Sequence, residues 1–126
     1  MRIDLDTLFT YRQYTDGIVY YYFDKKTYTI VTKDQAKKLT SENYIRCIPM
    51  FQIDETKIQK DYIDSLHNKK IESEYNHYKE NFDNFNHFIH NRLENDYWKF
   101  YCIEVKKLAI AWCEKNNIKY IDTSKE

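Results

Sequence analysis

The chain has 126 residues, with 20 basic and 20 acidic side chains, one glycine and one proline. That length suits one domain with a single hydrophobic core, and a content of 42% hydrophobic and 17% aromatic residues excludes intrinsic disorder. A formal net charge of zero argues against a dedicated nucleic-acid binder, and a lone glycine excludes glycine-rich phosphate loops and dinucleotide fingerprints.

In chain order, Ile3, Leu5, Leu8, Phe9 and Arg12 form a weak helical pattern over residues 3–14, with Asp4 or Asp6 near its start. Asp16-Gly17 marks the first turn, where the glycine supplies a positive φ. Ile18 to Phe23 reads as a strand, with Val19, Tyr21 and Phe23 on one face and Ile18, Tyr20 and Tyr22 on the other. Asp24-Lys25-Lys26-Thr27 is a hairpin loop and Tyr28 to Thr32 the returning strand. Thr32 with Gln35 resembles a capping box that opens a short helix, Lys33 to Leu39. Tyr44 to Phe51 is a third extended stretch, ending near Ile48-Pro49 because proline cannot donate to a ladder.

The second half reads as helical. Asp54 is a candidate N-cap for a helix lined by Ile58, Tyr62, Ile63 and Leu66 and stopping at His67-Asn68. Ile71, Tyr75, Tyr78, Phe82, Phe85, Ile89 and Leu93 then fall within about 80° of a helical wheel, with Asn81 a candidate break. Asn95 or Asp96 caps the last helix, which runs to Asn116-Asn117. Its main stripe is Trp98, Tyr101, Val105, Leu108, Ala109 and Trp112, and a second apolar strip, Phe100, Ile103 and Ile110, lies on nearly the opposite side. The expectation is an α+β fold: a small antiparallel sheet of two to three strands from the N-terminal half, packed against four to five helices. Residues 1–126 read as one globular domain, with 1–53 the sheet-containing part and 54–118 the helical part.

Met1 to Asp6 contain no apolar signal core, and no run reaches the roughly 18 apolar residues of a membrane span. A cytoplasmic setting is therefore expected. Cys102 and Cys113 stand eleven residues apart on one predicted helix, hence about 16 Å apart and beyond disulfide reach. Together with Cys47 they read as reduced thiols. The thirteen tyrosines have two explanations, the codon bias of an AT-rich genome or an aromatic recognition surface.

Few constellations carry chemistry. Asp83, His87 and His90 have metal-ligand spacing on a helix, but they point away from the apolar stripe, so a solvated polar face is the expected reading and no metal or cofactor is assigned. No carboxylate pair or activated nucleophile stands out, so no enzymatic role is assigned. Tyr20, Tyr22 and Tyr28 near Lys25 and Lys26 could stack bases between basic flanks, although alternate tyrosines of a covered sheet give the same pattern. Phe100, Ile103 and Ile110 require burial somewhere, either inside the domain or against a partner.

Taken in order, several pieces resemble a bacterial protein family catalogued as uncharacterised, number 0158 of the UPF series. They are Asp4-Leu5-Asp6-Thr7-Leu8, Tyr21-Tyr22-Phe23-Asp24 with Thr27, and Tyr44-Ile45-Arg46-Cys47-Ile48-Pro49. Tyr62-Ile63, Phe82 and Phe85 follow, then Trp98-Lys99-Phe100 and finally Ala109-Ile110-Ala111-Trp112-Cys113-Glu114-Lys115-Asn116-Asn117-Ile118. The chain departs from that pattern at Tyr28, where the family has glycine, and at Asp83 and Asn84, where it has two basic residues. The resemblance implies an α+β architecture and a bacterial cytoplasm, and brings no activity. The functional expectation is a non-enzymatic protein-binding module from a low-GC bacterium or its phage. It would be an inhibitor, immunity-type or antitoxin-type protein that acts on another protein or self-associates. Nucleic-acid association through the hairpin is the alternative.

Overall fold

A computed structural model of the chain describes residues 1–15, 18–40, 45–78 and 94–123. Among them are five helices and seven short strands, an α+β composition. The chain forms two compact units, one made of Met1–Ile53 and Val105–Glu126 and the other of Asp54–Glu104. The predicted Gly17 turn, Tyr44, the Asn81 break and the Phe82, Phe85, Ile89 and Leu93 positions lie outside the described residues.

In the first unit, β3 (Tyr21–Asp24) pairs antiparallel with β4 (Thr29–Thr32) on one side and β5 (Cys47–Pro49) on the other. The resulting sheet has the order β4-β3-β5. Phe23 is fully buried at its centre. Pro49 stands at the end of an edge strand, where its missing N–H costs no ladder bond. The strand predicted over Ile18 to Phe23 begins only at Tyr21 and takes in Asp24, which pairs with Thr29. The helix Lys33–Leu39 (α2) has both predicted capping bonds. Gln35 N donates to Thr32 Oγ1 (3.3 Å), and Thr32 N donates to Gln35 Oε1 (2.9 Å).

The helix predicted over residues 3–14 is shorter than its pattern. Only Leu5–Thr10 (α1) is helical, with Asp4 as its N-cap. The flanks are extended because distant segments take them as partners. Ile3–Asp4 (β1) pairs parallel with Tyr120–Ile121 (β7), and Gln13–Tyr14 (β2) pairs parallel with Gln52–Ile53 (β6). A two-residue strand leaves no periodicity to detect, so these pairings were invisible locally.

The second unit holds α3 (Glu55–Ser65), α4 (Lys69–Tyr78) and the residues of α5 (Glu94–Lys115) as far as Glu104. Asp54 caps α3 by accepting from Lys57 N (3.1 Å). Ile58, Tyr62 and Ile63 are buried, and Tyr62 meets Tyr97 and Phe100 with ring centroids 5.4 Å apart in each case. His67 takes a left-handed φ of 49°, ending α3 where the sequence predicts, and Asn68 Oδ1 accepts from Lys70 N and Ile71 N at the start of α4.

The core stripe of α5 differs from the predicted one. Tyr97, Tyr101, Val105, Ala109 and Cys113 are its buried residues, whereas Trp98 is 49% and Leu108 40% exposed. A strict four-residue repeat advances about 40° per step on a helix of 3.6 residues per turn, so the buried line winds around α5. A straight stripe drawn on a wheel therefore takes in Trp98 and Leu108, which the winding line leaves in solvent. The helix begins at Glu94, which places Asn95 and Asp96 inside it and not at its cap. Its C-terminus follows the sequence. Asn117 adopts a φ of 58°, Ile118 N donates to Cys113 O (2.8 Å) and Asn117 N to Glu114 O (3.4 Å), the paired bonds of a Schellman stop.

Candidate functional site

The first unit carries an open groove of about 500 Å³, lined by Arg12, Gln13, Tyr14, Tyr20, Tyr21, Thr32, Lys33 and Asp34. Its floor is organised by Gln13, a polar side chain only 4% exposed. Gln13 Nε2 donates to the Met50 carbonyl (3.1 Å), while Oε1 accepts from Tyr20 N (3.0 Å) and Tyr21 N (3.2 Å). One buried amide thus ties β2, the entry to β3 and the segment after β5 together. Its loss would leave the part-buried Tyr20 and Tyr21 N–H groups without this acceptor, and a donor left unsatisfied away from water costs about 1 to 3 kcal/mol. Arg12 is likewise held in place. Its guanidinium carbon stands 4.2 Å from the Phe9 ring centroid and Nη1 donates to the Phe9 carbonyl (3.0 Å). Tyr21 is braced edge-on by Tyr11 at 5.3 Å. Lys33 and Asp34, in the first turn of α2, are exposed, and Tyr14 and Tyr20 show 40% and 49% of their surface.

The hairpin residues nominated for nucleic-acid contact do not form one platform. Tyr20 lines the groove at the start of the β3–β4 ladder, Tyr22 is half-buried within β3, and Lys25, Lys26 and Tyr28 occupy the turn at the other end. Tyr28 has a structural task. It sits at a φ of 55°, its ring packs edge-on against Phe23 at 5.1 Å, and its hydroxyl accepts from Lys119 N (3.0 Å). Left-handed backbone costs a non-glycine residue about 1 kcal/mol or more, so these two contacts are what a tyrosine offers at a position where glycine would be relaxed.

Beside the turn, Asp24 is 1% exposed and fully occupied. Arg46 donates through Nε to Oδ1 and through Nη2 to Oδ2, both at 2.7 Å, while Lys26 N (2.9 Å) and Thr27 Oγ1 (2.8 Å) complete its shell. The Arg46 hydrogen bonds hold the Asp24 carboxyl far below the usual carboxylate range, outweighing the opposing effect of burial. A carboxylate so depressed cannot serve as a general base near neutral pH. Its role is to clamp the hairpin to β5. On the other face of this sheet, Trp112 packs edge-on against Phe23 at 5.7 Å and donates Nε1–H to the Pro49 carbonyl (3.1 Å).

The strip nominated on α5 is unevenly placed. Ile103 is 55% exposed, while Phe100 and Ile110 are half-buried, Phe100 against Tyr62. Cys47 and Cys113 are buried and Cys102 half-buried, and none of the three forms a disulfide. Burial raises the Cys47 thiol and pushes that of Cys113 to about 11, which makes both poor nucleophiles. Among the described residues no three His, Cys, Asp or Glu side chains gather as a metal site, and Asp83, His87 and His90 lie outside those residues. No helix among the described residues is long and apolar enough to cross a membrane.

The groove was missed at the level of sequence because its parts come from three separated segments and its organiser is an unremarked glutamine. The one legible signal was Tyr20, nominated for a different surface. No protein-family model matches the chain, and neither a curated protein nor a solved structure does.

Proposed function

We propose that this chain is a cytoplasmic, non-enzymatic protein-binding module of the inhibitor, immunity or antitoxin type, from a low-GC bacterium or its phage. The observation that carries the reading is the exposure of large apolar residues around α5. Ile103 is 55% exposed, Trp98 49% and Leu108 40% on a helix that also carries a continuous buried line. Large apolar side chains left in solvent beside a buried line are stabilised by a further contact. Aromatic residues such as Trp98, stacked on Tyr101 at 5.4 Å, are enriched in the centres of protein interfaces. Within this reading the chain is a divergent member of the uncharacterised family it resembles. The residues Asp24, Thr27, Arg46, Pro49 and Trp112, common to the resemblance, are used to hold the sheet.

A photocrosslinking residue at position 103 tests the proposal in bacterial host cells. It should yield a discrete adduct with another protein or a second copy, and Ile103→Asp should weaken the same association at least about tenfold. The far-UV spectrum should be unchanged, because the side chain is mostly in solvent. A monodisperse monomer with no discrete adduct would sink the reading.

A further inference from the structure

We propose that the outer edge of β4 takes up an extended, acid-flanked segment of a partner protein as a fourth strand of the β4-β3-β5 sheet. The inference goes beyond the α5 surface of the reading above and uses none of its residues.

The alternation of ladder hydrogen bonds identifies the groups left over. Lys33 N donates to Tyr20 O (3.1 Å), so Tyr20 and Lys33 are a bonded pair. Bonded pairs recur at every second residue of an antiparallel ladder, which makes Tyr22–Val31 the next one and Phe23–Ile30 a non-bonded pair. The other side of β3 agrees. Met50 N donates to Tyr21 O (3.1 Å) and Lys25 N to Arg46 O (3.0 Å), so the odd-numbered residues of β3 serve β5. Ile30 therefore turns its N–H and C=O outward, and no described residue pairs with them. The two edges of the sheet are unequal. On β5, Pro49 holds an outward position with no N–H to offer, and its carbonyl is taken by Trp112 Nε1–H (3.1 Å). β4 reads Thr29-Ile30-Val31-Thr32, without charge or proline, a strand lacking devices that discourage pairing. The open stretch is short. Thr32 N already donates to Gln35 Oε1 (2.9 Å), so the capping box closes the edge after Val31.

Backbone chemistry selects an extended peptide, because one strand residue supplies both the acceptor for Ile30 N–H and the donor for Ile30 C=O. A DNA backbone has acceptors only. Charge then selects among peptides. Lys26 lies in the turn before β4, and Lys33 and Lys37 lie in α2 after it, all exposed and set against one acid, Asp34. A second copy added across a twofold axis at Ile30 would bring the Lys26 end of one chain to the Lys33 end of the other. Like charges facing across a strand pair are destabilising. A segment with acidic residues flanking its extended part meets cations at both ends of the edge instead.

The test is amide hydrogen exchange, read by NMR on the full chain, with a synthetic peptide of a Thr-Val repeat flanked by glutamates. Strand addition is carried by main-chain bonds and tolerates a generic core sequence. In the free chain the Ile30 amide should exchange rapidly while the Val31 amide, bonded to β3, is protected. Adding the peptide should protect Ile30 and leave Val31 as it was. The same peptide with N-methylated backbone amides should give no protection. Lys26→Glu together with Lys33→Glu should weaken binding about tenfold with an unchanged far-UV spectrum, since both side chains are in solvent. An Ile30 amide already protected in the free chain would overturn the proposal. So would an Ile30 amide left unprotected by the peptide, or equal binding of a peptide flanked by lysines. Ile103→Asp should leave this binding unchanged, so the α5 reading and the β4 edge can fail separately.

Discussion

Two buried polar side chains, Gln13 and Asp24, hold the first unit in register, and each does so by satisfying groups that the strands leave over. Gln13 bonds three backbone groups from two other segments. Asp24 gathers Arg46, Lys26 and Thr27 around one carboxylate. Breaking such a pair leaves an uncompensated charge, so Asp24→Ala should destabilise the fold by about 3 kcal/mol. That figure is at the low end because the Arg46 side chain retains 19% exposure. The pH dependence has a definite sign. The folded-state pKa lies below the unfolded value of about 3.9, so the contribution is fully present above that value and is lost as pH falls through the range below it. Urea titrations at pH 7 and pH 3 should show the gap between wild type and Asp24→Ala narrowing on acidification; an equal gap at both would contradict this account.

Elements with local start and stop chemistry follow their sequence signals, and those without it do not. The Thr32/Gln35 box opens α2, Asp54 opens α3, and Asn117 closes α5 through its left-handed backbone. All three depend on residues within a few positions of each other, and that is why they were legible. Thr32→Ala should cost about 1 kcal/mol, and Gln35→Ala less, since it removes only the bond to Thr32 N. Chemical denaturation of both variants checks the order. The N-terminal helix pattern, by contrast, extends over residues that the structure spends on β1 and β2. In α5 the periodicity is genuine but its phase drifts, so Tyr97 and Cys113 replace Trp98 and Leu108 in the core. Periodicity reports that a helix is amphipathic and reports its phase only where the partner surface is straight.

At the scale of the molecule, the first unit is closed by bringing residues from the two ends of the chain together. Ile3 N donates to the Lys119 carbonyl (2.9 Å), β1 pairs with β7, Lys119 N donates to the Tyr28 hydroxyl, and Thr123 Oγ1 donates to Asp4. Lys106 pairs with Asp122 in the same segment. Each such bond contributes about 0.5–1.5 kcal/mol net. A chain ending at Ile118 should therefore lose about 2 to 4 kcal/mol and the hydrogen-exchange protection of the Ile3 amide. Unchanged protection at Ile3 would show that β7 does not stabilise this edge. The closure also explains Tyr28. Its strained backbone is tolerated because the hydroxyl reaches a segment 91 residues further along the chain.

By itself the sequence determined the α+β class, a small antiparallel sheet of two to three strands, the caps of α2 and α3 and the stops of α3 and α5. These depend on alternation, periodicity and short-range hydrogen bonding, all of which act within a few residues. It also determined the neutral charge that limits phosphate binding. Only the tertiary structure decided the two parallel strand pairs, the winding core line of α5 and the assembly of Arg12, Tyr14, Tyr20, Tyr21 and Lys33 into one groove. Each of these results from contacts between distant segments. A buried glutamine or a two-residue strand carries no local pattern, because its stability comes wholly from partners elsewhere in the chain.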